Sequence, residues 1–475
     1  MKKLPAIVTL VAILAMLLGA CAPAATQAPA PAATNPPAAQ PTQPPAAAQP
    51  TQPPAAAQPT QPPAPKPTEA PAAEPVTLDY WQVDFAGWDV AINQVIAAFE
   101  AENPGIKINY TPISYDDINE KIAAMVPVGQ GPDLVNPFFG WVPLWAKSGF
   151  LEPLPEDMFP KQEMMDTYLP AINAQYVDGK LYGLPLNQNN WSILYNKDFF
   201  KESGITKLPE TWDELRDAAI KCTKRDDKGN LIRAGYYVSF GTQEHILWKV
   251  LAEKNGQPIF SEDQKKVTWN DSPIGEEAFQ FVTDLVTKDK VMDIGFADDS
   301  PGSAFYTGKT CMRLGSPGNL PVIRKNAPDL NFGSFPLPKG KASDPAVANL
   351  NQSQYWSFNM TSKAAQDPAK KAAALKFMKF LTKPETEMTY IKAIGGLPVH
   401  KSLVNDPWFT SDPELAAFMS TLPNSHPLFW VDEKGERQVA LDMADKVMLN
   451  KENPKAVFDW GTIQEQNIRD EYFSK

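Results

Sequence analysis

From Val76 onward the apolar residues of this chain switch repeatedly between two periods. Val76, Leu78 and Tyr80 alternate with polar neighbours up to Trp81, as a strand does. Ile92, Val95, Ile96 and Phe99 then fall on one face between Ala91 and Glu102, the spacing of an amphipathic helix. Asn103-Pro104-Gly105 stops that helix, and alternation returns from Ile106 to Thr111. A second helix is expected over Asp116 to Met125, capped by Ser114 or Asp116, and a further strand at Asp133-Leu134-Val135. Strands alternating with helices predict an α/β fold with helices flanking a sheet. Sheets of that kind place ligand sites at the carboxyl ends of their strands.

The first 75 residues lack these periods. Lys2 and Lys3 precede an apolar stretch from Leu4 to Ala20, short of the roughly 20 apolar residues that cross a membrane, so residues 1–20 read as a secretory signal peptide. The sequence Leu18-Gly19-Ala20-Cys21 resembles a bacterial lipoprotein box. That resemblance implies cleavage before Cys21 and its lipidation, anchoring the protein to the cell membrane on the extracytoplasmic side, since several acyl chains hold where one does not. Residues 21–75 are otherwise a Pro/Ala/Thr/Gln tract, in which Pro-Thr-Gln-Pro-Pro-Ala-Ala-Ala-Gln at 41–49 repeats at 50–58. Such a tract buries too little to offset the entropy of ordering, and is expected to be a disordered linker reaching at most on the order of 150 Å, at about 3.1 Å per residue of polyproline II.

Composition sharpens the picture of the body. All twelve tryptophans follow residue 80, and about 400 residues are too many for one core of usual size, which suggests two lobes. A net charge of −11 gives no electrostatic footprint for nucleic acid. Cys222 and Cys311 are the remaining cysteines; a disulfide and two buried thiols are both open.

Catalysis finds little support. A glycoside hydrolase needs two carboxylates about 5 to 10 Å apart, but Asp226-Asp227 and Asp298-Asp299 read as turns and solvated faces. His245, His400 and His426 lack metal-ligand spacing, and no Gly-x-Ser-x-Gly elbow occurs. Asp226 to Asn230 lacks the EF-hand ligand spacing and reads as a hairpin. The chain is therefore expected not to be an enzyme and to carry neither cofactor nor metal.

Polar and aromatic residues gather instead where strands end. One strand runs into Trp81-Gln82-Val83-Asp84-Phe85-Ala86-Gly87-Trp88, another into Asn136-Pro137-Phe138-Phe139-Gly140-Trp141. Rings beside amides and carboxylates suit a neutral hydroxylated ligand, whose C–H faces pack on the rings while its hydroxyls find partners.

The densest pattern lies further on. Gly179-Lys-Leu-Tyr-Gly-Leu-Pro185, Tyr195-Asn-Lys-Asp198 and Pro209-Glu-Thr-Trp-Asp-Glu-Leu215 resemble the extracellular solute-binding proteins of ABC importers, the family that includes maltose-binding protein. Gly131-Pro-Asp133, Gly149-Phe-Leu-Glu-Pro-Leu154, Phe305-Tyr-Thr-Gly-Lys-Thr-Cys-Met312, Thr382 to Glu387 and Gly395-Gly-Leu-Pro398 follow in the family's order, so the similarity spans Val76 to the C-terminus. The resemblance implies a two-lobed periplasmic-binding-protein-like clamp whose chain crosses three times between lobes, at Asn187–Trp191, Leu314–Ser316 and Tyr355–Ser357. One lobe would hold 76–187 and 315–355, the other 188–314 and 356–475.

It also implies a small-molecule solute, a sugar or oligosaccharide, held by a monomer that closes about its hinge and is read by the permease subunits. Matching positions would put Trp81, Gln82, Asp84, Asn136 and Trp141 of one lobe around the solute. The crossings would add Asn187, Gln188, Asn189, Trp191, Ser316, Tyr355 and Trp356, and the other lobe Gln243, Glu244 and His245. Trp248 reads as packing. Two departures touch the ligand. Gly318 stands where many sugar-binding relatives have a stacking tryptophan, and Asn351-Gln-Ser-Gln354 replaces a Gly-Gly pair. The candidate cleft has no arginine cluster of the kind a phosphorylated or carboxylated solute would call for, which ranks glycerol-phosphate esters and polyamines below sugars. A surface sensor using the same clamp is the remaining alternative.

Overall fold

A computed structural model describes residues 75–85, 87–238, 244–296, 303–340 and 345–474. The expected signal peptide, Cys21 and the linker up to residue 74 lie outside them. Among the described residues no helix is long and apolar enough to cross a membrane.

Two five-stranded sheets organise the chain. In the first, Val76–Val83 is flanked by Ile106–Ile113 and Leu134–Asn136, both parallel to it, with Tyr80 opposite Leu134 and Gln82 opposite Asn136. Ser357–Met360 and Gly183–Pro185 complete that sheet in antiparallel pairing. The first helix runs from Trp88 to Glu102 and buries Ile92, Val95, Ile96 and Phe99, the face predicted from their spacing. Tyr115–Met125 is capped by the Ser114 side chain, which accepts from Asp117 N.

The second sheet has the order Phe332–Pro336, Ser192–Asn196, Thr310–Gly315, Leu231–Tyr237, Lys224–Arg225. Its Lys224–Arg225 edge returns through Asp226–Asn230, where the Asp226 carboxylate accepts from Lys228 N and Asn230 N and Gly229 takes φ 85°, so the expected hairpin is present. The helix Trp212–Cys222 lies directly on the sheet: a Cβ at Gly235 would sit 1.8 Å from Ala219 O, so only glycine permits this approach. The fully buried Cys222 and Cys311 are joined as a disulfide with Cα atoms 6.3 Å apart. Closing a loop of 89 residues contributes about 2–5 kcal/mol. A layer of helices, Glu244–Glu253, Pro273–Thr287, Glu433–Met448 and Pro454–Ser474, packs together and joins this sheet where Gly235 N donates to Val291 O.

Strand pairing corrects the division of the chain expected from sequence. Phe332–Pro336, assigned to the first lobe with 315–355, pairs antiparallel with Ser192–Asn196 in the second sheet. Ser357–Met360, assigned to the second lobe, pairs in the first sheet, and the helix Pro384–Ile394 that follows packs on Trp88–Glu102. Leu314–Ser316 is no crossing, since Gly315 is still in register with Ser192 and the chain returns through the helix Asn319–Asn326 to the same sheet. The chain passes between sheets at Asn187–Trp191, just before Ser357, and at Gly395–Pro398. These passages lie side by side. Gln188 and Leu397 exchange backbone hydrogen bonds at 3.0 and 2.8 Å, and Asn189 and Gln354 at 2.7 and 2.9 Å.

Candidate ligand-binding site

The first sheet ends in two buried amides. Gln82 accepts from the Tyr80 hydroxyl at 2.6 Å, and Asn136 donates to Ser357 O at 2.8 Å, so both brace the sheet end from within. The chain beyond them carries the surface. Asp84 is exposed and Trp81 half-buried. Trp356, 9 % exposed, lies at the centre of five rings: Phe85 at 5.2 Å, Trp141 at 5.4 Å, Phe138 at 5.6 Å, and Trp88 and Tyr115 at 6.1 Å. Most of these contacts are edge-to-face, the arrangement ring quadrupoles favour. Phe85, Trp88, Tyr115 and Phe138 remain half-buried and form an aromatic face.

Opposite this face stands the start of the helix Glu433–Met448, capped by the Asp432 carboxylate, which accepts from Gly435 N at 3.1 Å. The Trp141 indole donates to Glu433 Oε2 at 3.0 Å, and Arg437 Nε donates to Glu433 Oε1 at 3.0 Å. Among the described residues the two Nη groups of Arg437 have no hydrogen-bond partner. Burial, reinforced by Glu433, pushes the Tyr115 phenol up to about 12, with Arg437 opposing, so it remains a neutral donor. Gly140 allows this approach: a Cβ there would lie 3.0 Å from Trp430 Cδ1 and 3.2 Å from Glu433 Cβ. Rings, a carboxylate and a guanidinium thus meet between the two sheets.

The amide run expected to contact solute lies along the first passage. Gln188 is fully buried and donates to Pro398 O at 2.8 Å. Asn190 donates to Phe418 O, Thr421 Oγ1 and Ser425 Oγ, at 2.9, 3.2 and 3.0 Å. Asn187, 1 % exposed, packs beside Gly396, and neither of its side-chain polar atoms has a partner among the described residues. Asn189 is the one amide of the run that is half-exposed. Trp191 is 3 % exposed and joins the main core. Tyr355 is a core residue as well: it donates to Ala171 O at 2.6 Å, accepts from Gln175 Nε2 at 3.1 Å and stacks on Phe139 at 5.0 Å. The half-buried Ser316 donates its backbone N–H to Asn319 Oδ1 at 2.8 Å at the mouth of a helix. Gln243 lies outside the described residues, and Glu244 and His245 are placed only as the first two residues of the helix Glu244–Glu253. Trp248 packs on Phe279 at 5.1 Å and is buried, as its spacing predicts.

Sequence reasoning singled out neither Glu433 and Arg437 nor the buried Trp430 that packs beside Gly140. Their signal is a tryptophan followed by the cap Asp432 and an i,i+4 Glu/Arg pair, 292 residues from Trp141.

Residues 84–388 match the family described as bacterial extracellular solute-binding protein. A binding protein of Brucella abortus (strain 2308) is 27% identical over 339 residues, covering 70% of this chain and 78% of its own. The sn-glycerol-3-phosphate-binding periplasmic protein UgpB of Escherichia coli (strain K12) is 24% identical over 342 residues, covering 69% and 75%. Among solved structures, an ABC transporter solute-binding protein of Thermotoga lettingae TMO bound with α-D-tagatose superposes with a TM-score of 0.69 at 25% identity, covering 83% of this chain and 100% of that one.

Proposed function

Because the chain belongs to the bacterial extracellular solute-binding proteins, a transport family that works outside the cytoplasm with ABC permeases, we propose that it captures a sugar or oligosaccharide between its two lobes and delivers it to such a permease, tethered to the membrane through Cys21. The observation that carries this is the aromatic face around Trp356, set against Glu433 and Arg437. Rings take the apolar faces of a sugar, while a carboxylate and a guanidinium supply the acceptors and donors its hydroxyls require. The tagatose complex of the Thermotoga relative supports the same solute class. Closure rotates the lobes about the three passages and brings Glu433 and Arg437 onto the solute. No bond of the solute is broken. We assign the lobes by sheet, with 76–187 and 357–394 in one and the segments carrying Ser192–Asn196 to Phe332–Pro336 in the other.

A second reading is favoured by one group. The two Nη groups of Arg437, without a hydrogen-bond partner among the described residues, match an anionic oxygen pair, and UgpB, a relative, is named for sn-glycerol-3-phosphate. A thermal-shift titration decides between them, using D-tagatose, maltotriose, sn-glycerol-3-phosphate and glycerophosphocholine. Ligand at 100 times its Kd adds about 2.7 kcal/mol of stability. We expect a rise with a sugar. A response to the phosphate esters alone, abolished in Arg437→Ala, would replace the sugar reading with the ester.

A further inference from the structure

Beneath the segment that buries Trp430 and leads to Glu433 lie four charged side chains that the solute would not touch. Lys249, Glu465, Glu436 and Arg469 expose no more than 2% of their side chains, and they come from three helices, Glu244–Glu253, Glu433–Met448 and Pro454–Ser474. We propose that Arg469 and Glu436, supported by the Lys249–Glu465 pair, are positioning residues that fix the second lobe's half of the ligand site. This rests on the reading that Glu433, three residues after the buried Trp430, faces the solute.

Burying charge is costly, and apolar residues of the same volume often stabilise a fold as well or better, so general stability does not explain the group. Where its polar ends land is more telling. Arg469 Nη2 donates to Phe429 O at 2.6 Å, and its Nη1 holds Gln264 O at 2.5 Å. Glu436 Oε1 accepts from Val431 N at 3.0 Å and Asp432 N at 3.5 Å. The carbonyl before Trp430 and the amide after it are thus both fixed by buried charges. The indole itself lies over the Lys249 ammonium, 4.8 Å from ring centroid to Nζ, and that ammonium is paired with Glu465. The Arg469 guanidinium stacks on Phe260 at 3.3 Å, which sets its plane. On its other side the same segment meets Gly140 and takes the Trp141 indole on Glu433. A loop held from below by charged groups keeps its side chains in one place before solute arrives, which is what tight recognition needs.

The test follows Trp430 directly, so it does not depend on the identity of the solute. The full chain is labelled with 5-fluorotryptophan and the Trp430 resonance assigned by Trp430→Phe. Glu436→Gln with Arg469→Met removes both charges together, leaving no unpaired ion, and we expect the Trp430 signal to broaden or split. The control Asp133→Asn with Lys370→Met dismantles the ion pair between the buried Asp133 beside the first sheet and the partly exposed Lys370, with Lys363 left to Asp79, and should lower Tm while leaving that signal sharp and unmoved. An unchanged Trp430 signal in the folded Glu436/Arg469 variant overturns the proposal. Should that variant not fold, hydrogen exchange on the unaltered protein decides. The Val431 amide is expected to exchange at least about 100-fold more slowly than in an open loop, and a rate near the free-chain value overturns the proposal. A cleft that binds neither sugars nor esters would leave both readouts intact, so failure of the functional reading stays separate from failure of this one.

Discussion

The passages between the sheets and the aromatic face are built from residue types that both suit a sugar, yet they differ in what remains unengaged. At the passages the side-chain nitrogens of Gln188, Asn190 and Asn351 donate to backbone carbonyls and hydroxyls of neighbouring segments. At the aromatic face, Phe85, Trp88, Tyr115 and Phe138 keep ring surface open, and Arg437 keeps donors unfilled among the described residues. Recognition needs groups that folding has left available. The amide nitrogens of Gln188 and Asn190 are taken up within the passages, whereas both polar atoms of Asn187 stay unpaired among the described residues, and residue type alone does not tell the two apart.

If this contrast holds, each region should respond to its own perturbation. The largest effect expected is a pH dependence seated at the third passage. Glu387 is buried and accepts from Val399 N at 2.7 Å and His400 N at 3.2 Å, and burial pushes its pKa from 4.5 up to about 8. Between those values the folded chain binds the proton that the unfolded chain releases, so stability is full below about 4.5 and falls as pH rises towards about 8, by roughly 3–5 kcal/mol. His426 has the same sign. Burial would lower it, but Glu253 at 3.2 Å raises it above 6.5, so its contribution is present below 6.5 and fades as pH rises through the folded value. Urea midpoints measured across this window should fall, and Glu387→Gln should make the fall shallower, leaving the part due to His426 and Glu436; an equal slope in that variant would mean the carboxyl is already ionised. At the aromatic face Tyr115 does not titrate here, whereas burial pushes Glu436, beneath the segment that leads to Glu433, from 4.5 up to about 7, so it adds to the same slope.

Asn190→Leu comes next. It removes one donor from Phe418 O and Thr421 Oγ1, which keep Thr421 Oγ1 and Asn351 Nδ2 respectively, and takes from Ser425 Oγ the donor it accepts from, for a loss of about 1–3 kcal/mol in unfolding free energy with solute affinity unchanged. An affinity drop of the same size would move Asn190 into the site. The smallest effect is expected from Trp88→Ala, which removes a half-buried ring: about tenfold weaker binding by calorimetry, or about 1.4 kcal/mol, with Tm little changed. A fall in Tm without a change in affinity would make Trp88 a packing residue.

The alternation that makes Val76–Val83 and Ile106–Ile113 strands is local, and so is the stripe on Trp88–Glu102, which is why those elements are legible in sequence. The helix starts at Trp88 rather than Ala91 because Gly87, with φ 86°, turns the chain early. The sheet that Phe332–Pro336 joins is not local information. Its partner Ser192–Asn196 lies more than a hundred residues back, and the same apolar strand would pair in either sheet. The site divides in the same way. Trp141 and Trp356 are visible at strand ends, whereas Glu433 and Arg437 reach them only through folding. In the run Asn187 to Asn190 a buried hinge and an open cleft ask for the same amides: the Gln188 and Asn190 nitrogens are bonded within the passages, Asn187 is buried with no partner among the described residues, and Asn189 is half-exposed.

The pairings of Gln188 with Leu397 and Asn189 with Gln354 turn three separate connectors into a single narrow ribbon. A ribbon laced by backbone hydrogen bonds resists shear along its length and splaying of its edges, yet flexes readily across its face. In the clamp proposed above, such a ribbon would leave the two halves one easy movement, a swing about a shared axis, along which a solute would select the enclosed form.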